Sequence, residues 1–226
     1  MNKSTIGGVV ALLMVIALFV FFGTSDKSNL TNFTKAYETS YAANNAYLVS
    51  VVITSLNESP LVAEFSEKYN TLIHSLGSDA TNAERLSMAE DVLATQDKLD
   101  ALLVKSDSEE STATDALLAM NNKAASIKDK DLREAALGVT DLSQKYFDTM
   151  REYKNTVYSK NQLKRDLLNT FIDSKGGTAG FNSFLSIKDN QNKITEYNDK
   201  LENTDFAAID TQMAQAFARF KGSAGL

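Results

Sequence analysis

The sequence predicts an all-α protein, an N-terminal transmembrane helix followed by an elongated up-and-down helical bundle of about six or seven helices. Three observations lead there. Pro60 is the only proline in 226 residues, where average usage would give roughly eleven, so almost nothing interrupts a helix. Between Thr24 and Lys221 the only glycines are Gly77, Gly138, Gly176, Gly177 and Gly180. Apolar side chains recur at steps of three and four over most of the length, the period of a helix buried along one face. With 43% apolar and 23% charged residues, disorder across the whole chain is excluded.

The first helix is the most apolar. Ile6 to Phe22 carries no charge, and 17 residues at 1.5 Å each give about 25 Å, near the lower limit for a hydrocarbon core of about 30 Å. Lys3 precedes this run and Asp26 is the first charge after it. The positive-inside rule then predicts a cytoplasmic N-terminus (residues 1–5), a single-pass anchor over residues 6–22, and residues 26–226 outside the cytoplasm. The alternative is a signal peptide cleaved near Ser25, giving a secreted or periplasmic protein. The length of the run and the bulky Phe21 and Phe22 beside the cleavage region argue against it.

The bundle helices follow in order. Leu30, Phe33, Tyr37, Tyr41, Leu48, Val51, Val52 and Leu56 predict a helix from about Ser28 to Asn57. Ser59-Pro60 reads as an N-cap and first helical residue, opening a stripe of Leu61, Phe65, Tyr69, Leu72, Ile73 and Leu76 that stops at Gly77. Thr81 and Glu84 have capping-box spacing ahead of Leu86, Ala89, Leu93, Leu99 and Leu103. The polar, acidic run Ser106–Ser111 predicts a loop, followed by a short helix carrying Ala113, Ala116, Leu117, Met120, Ala124 and Ile127. Asp131 and Glu134 predict a second capping box, starting a segment of about 40 residues from Leu132 to Phe171 with a weak spot at Tyr158–Gln162. Asp173–Gly180 predicts a loop and a candidate subdivision of the bundle near residues 174–180. Phe181 to Leu201 and Phe206 to Phe220 predict the last two helices.

Composition excludes many chemistries. There is no cysteine and one histidine, His74, which removes disulfides, thiolate sites, cysteine nucleophiles and most zinc and triad arrangements. No second ligand stands one turn from His74, so it reads as a helix-end histidine. Lys175–Gly180 is glycine-rich but lacks the Gly-Lys-Ser/Thr ending of a phosphate loop. Asp129 and Asp131 resemble part of a calcium loop without its glycine. Glu64 and Lys68 form an ordinary pair one turn apart. No catalytic, cofactor or metal site is predicted, and none of the residues predicts an enzyme.

One stretch departs from the acidic average. Only Lys3 of the 23 basic residues precedes the anchor, so residues 26–226 hold 22 basic against 29 acidic residues, a balance that repels nucleic acid. Within it, Lys145, Arg151, Lys154, Lys160, Lys164 and Arg165 outnumber Asp148 and Glu152, with tyrosines between them. They are the candidate partner-binding residues, facing a protein or an envelope polymer. The opposing reading is a solvated helix face whose charge Asp107–Glu110 neutralises within the molecule. A second candidate is a small-ligand pocket between helices lined by Tyr37, Tyr41 and Tyr47 with Asn44 and Asn45, against which stands ordinary core packing. The function expected is therefore a structural or accessory binding component of the cell envelope. A ligand-sensing or solute-binding helical domain is the alternative, and an enzyme without a recognisable motif is third.

Overall fold

The computed structural model describes residues 3–54, 59–179, 182 and 188–226, with side chains from Lys27 onward except at 188, 189 and 191. The protein is an all-α helical bundle. Its elements are α1 (Lys3–Val52), α2 (Pro60–Ser75), α3 (Asn82–Ala125), α4 (Lys130–Asp173), α5 (Lys188–Glu202) and α6 (Phe206–Ala224). Among the described residues no helix is long and apolar enough to cross a membrane. The anchor expected at residues 6–22 lies outside the residues whose side chains are described.

Three local expectations are corrected. Ser106–Ser111 is not a loop: α3 runs unbroken through it, so two of the expected helices are one. Polarity alone does not end a helix, and this run holds neither glycine nor proline. Ser106 is fully buried, with its hydroxyl donating 2.6 Å to the Leu103 carbonyl. The cap of α4 is Asp129 rather than Asp131, its carboxylate accepting the Leu132 amide at 2.9 Å, while Glu134 sits 3.8 Å from Lys130. Ser59 precedes Pro60 as expected but makes no side-chain cap. The box at Thr81 forms as expected: the Thr81 amide donates to Glu84 Oε2 at 2.7 Å and the Glu84 amide to Thr81 Oγ1 at 3.2 Å.

The chain forms two compact units, one of residues 1–42, 114–145 and 207–226, the other of 43–113 and 146–206. Residues 174–180 lie inside the second. In the first, Phe33 meets Phe220 edge to face at 4.8 Å and Tyr37 stacks on Phe217 at 3.7 Å. Met120, Ile127, Val139 and Met213 complete that core. The Tyr37 hydroxyl is pushed up to about 12 by burial, then by Tyr41 and Asp210. It is a packing residue with a polar rim.

In the second unit Phe65, Leu72, Ala89, Val92, Leu99, Leu167, Leu168 and Phe171 make the core. α4 ends against the start of α3 through Gly176. Its φ is +74°, and its amide donates back to the Phe171 carbonyl at 3.3 Å, closing the helix in the left-handed manner that favours glycine. The glycine-rich run thus terminates a helix.

Candidate ligand-binding site

The six candidate cations of α4 do not form one surface. Lys145 is an exposed residue of the first unit; the other five belong to the second. There, Arg151 Nε lies 3.0 Å from Glu110 Oε1, and Lys154 donates to Glu110 Oε2 at 2.8 Å and also to Asp107. The Tyr47 hydroxyl donates to the same Glu110 oxygen at 3.0 Å. Arg165 pairs with Asp97 at 2.7 Å and Asp100 at 2.5 Å. Asp100 Oδ1 also accepts Asn161 at 3.0 Å and Gln96 at 2.9 Å. Asp107 and Glu110 therefore neutralise Arg151 and Lys154 within the molecule, and three of the expected docking charges are consumed.

The Glu110 cluster sets a pH dependence. Burial pushes the Glu110 carboxyl up, but hydrogen bonds from Lys154 and Tyr47 and the charges of Lys154 and Arg151 outweigh it, leaving its pKa below the ordinary value. Burial lowers the Lys154 ammonium, and the bonds to Asp107 and Glu110 raise it further than that. A carboxyl whose folded pKa is depressed contributes stability that is present above its unfolded value and lost as pH falls through the folded one. The urea midpoint is expected to hold between pH 5 and 7 and to fall below about pH 4.5. Glu110→Gln should flatten that acid limb; an unchanged limb would remove the cluster from the stability balance.

Lys160 and Lys164 behave differently. Met150, Tyr153, Val157, Lys160, Lys164, Leu167 and Phe171 follow one another at alternating steps of three and four, the period of a buried helix stripe. The two lysines thus take core-facing positions, and α4 passes unbroken through the weak spot at Tyr158–Gln162. Both are half-buried. Neither has an acidic hydrogen-bond or ion-pair partner among the described residues. Burial lowers the Lys160 pKa, with Glu202 opposing. Burial, then the charge of Lys160, lowers Lys164 to about 8, with Asp100 opposing.

These lysines line a cavity of about 320 Å³ between α2, α4 and α5, at the lower end of the size typical of small-molecule sites. Phe65 and Tyr69 of α2 form one wall, stacked at 5.8 Å and 14°, with Lys164 Nζ 4.4 Å from the Phe65 ring centroid. Ser66, Asn70 and Asn198 add polar groups, and Leu163, Leu167 and Ile194 add apolar ones. Burial raises the Tyr69 pKa, so its hydroxyl is a neutral donor.

Sequence reading placed Lys160 and Lys164 among the candidates and missed Asn70 and Asn198; its reading of Phe65 and Tyr69 as core holds, and both also line this cavity. The readable signal was a pair of lysines at successive stripe positions. His74 is exposed at the end of α2, with its carbonyl accepting the Gly77 amide at 3.3 Å. Among the described residues no group of three or more acidic or histidine side chains is placed to hold a metal. No family model matches the chain, and neither a curated protein nor a solved structure is similar to it.

Proposed function

We propose that the chain is a membrane-held, extracytoplasmic binding protein whose second unit captures a small solute. The observation that carries this reading is the cavity on whose wall Lys160 and Lys164 lie without an acidic partner among the described residues. Charges inside a helical stripe cost stability unless paired. A ligand that supplies the missing partner turns that cost into binding energy, whereas a purely structural stripe would hold Leu or Ile at both positions. The location rests on the apolar run Ile6–Phe22 with Lys3 before it.

Full-length protein in detergent, screened against a solute library by thermal shift, should show stabilisation by a restricted chemical class. Stabilisation grows as RT ln(1 + [L]/Kd), about 2.7 kcal/mol at a hundredfold excess over Kd. Digestion of the C-terminal domain by protease added to right-side-out vesicles, with protection in inverted ones, tests the location separately. A second reading, the structural or accessory envelope component, is favoured by Val49, on the last turn of α1, and Ile53, just past its end, which stay 64% and 47% exposed. Crosslinking in intact membranes that captures one stoichiometric protein partner, with no solute shifting the melt, would favour it.

A further inference from the structure

We propose that the Lys160–Lys164 cavity is a site for a small aromatic carboxylate, its oxyanion held between the two ammonium groups and its ring against Tyr69. This rests on the solute-binding reading and goes further by naming the ligand class. The charge is argued from the lysines. They stand one turn apart on one helix face, each repelling the other, and an oxyanion between them relieves both the repulsion and the desolvation. The charged groups around them act at a distance: Asp100 on α3 and Glu202 on α5 oppose the shifts of Lys164 and Lys160. Tyr69 on α2 stays protonated at neutral pH.

The flat apolar body is argued from the walls. Half-buried Tyr69, backed by the buried Phe65 ring, offers a ring surface, and Leu163, Leu167 and Ile194 line the cavity with aliphatic groups. Inorganic phosphate would satisfy the lysines but make no use of the apolar side chains around them. A neutral ring would cover the walls but leave two desolvated cations. An aromatic carboxylate meets both needs within the available volume.

The test uses the full chain in detergent micelles and three probes: benzoate, the isosteric neutral benzamide, and inorganic phosphate, each followed by titration calorimetry. Benzoate should bind at least tenfold more tightly than either of the others. Lys160→Met and Lys164→Met should each weaken benzoate at least tenfold with helicity unchanged, while Lys123→Met, in the first unit, leaves it as in the wild type. Between pH 7 and 9 benzoate affinity should fall about tenfold as Lys164 loses its proton. Lys164→Arg should retain binding and remove that loss.

Benzamide binding as tightly as benzoate would overturn the proposal while leaving a solute site. So would phosphate binding in preference to benzoate, or solutes of another class stabilising the fold while none of the three probes binds. If no solute of any kind binds, the proposal and the solute-binding reading fall together.

Discussion

Gly176→Ala is expected to destabilise the second unit by about 3 kcal/mol or more, while Gly138→Ala leaves stability unchanged or raises it by about 0.5–1 kcal/mol. The contrast comes from what a new Cβ meets. At Gly176 it would lie 2.1 Å from the Asn82 carbonyl oxygen and 3.2 Å from the Leu86 amide nitrogen. Both are backbone atoms within the first five residues of α3, so no side chain can rotate away, and α4 and α3 must separate where they now touch. A left-handed φ adds about 1–2 kcal/mol for a residue with a Cβ. At Gly138, inside α4, nothing lies within 4 Å, and alanine gains only helix propensity. Urea titrations followed by far-UV circular dichroism on the full-length protein compare the two. Equal midpoints for Gly176→Ala and wild type would mean that the end of α4 is not held against α3.

Gly176 also shows how far the sequence could be read. The run Asp173–Gly180 marked a break correctly, because two adjacent glycines in a helix-rich chain leave little else to infer. What it did not show was the close approach to Asn82, which depends on a helix starting almost a hundred residues earlier. The capping box at Thr81 was legible because its partners are three residues apart. The Asp131 box was misplaced by two residues because Asp129 has equal capping chemistry and only the helix start decides between them. Ser106–Ser111 was misread for a physical reason: its acids look like loop residues until Lys154 and Arg151, more than forty positions later, pair with them. The candidate site was half legible. The lysines stood in the stripe for anyone counting steps of three and four, but their charge made the stripe look interrupted. Which aromatic wall they face is a tertiary fact.

Asp100→Ala is expected to cost about 2–4 kcal/mol, more than any exposed ion pair of this chain. Arg165 would keep Asp97 at 2.7 Å, so the loss does not come from a stranded guanidinium. It comes from Asn161 and Gln96, 6% and 0% exposed, whose amides both donate to Asp100 Oδ1. Gln96 Oε1 is already without a hydrogen-bond partner among the described residues, so removing the carboxylate would leave that buried side chain with neither its donor nor its acceptor satisfied. Asp100→Asn keeps an acceptor oxygen for the two amides while losing the negative charge that faces Arg165, and should therefore lose less than Asp100→Ala. Pairing Asp100→Ala with Asn161→Ala should show a coupling of about 1–2 kcal/mol, since either change alone already removes their shared bond. Additive losses would mean instead that the Asp100–Asn161 bond does not couple α3 to α4, leaving their register to the apolar cluster around Leu99, Leu168 and Phe171.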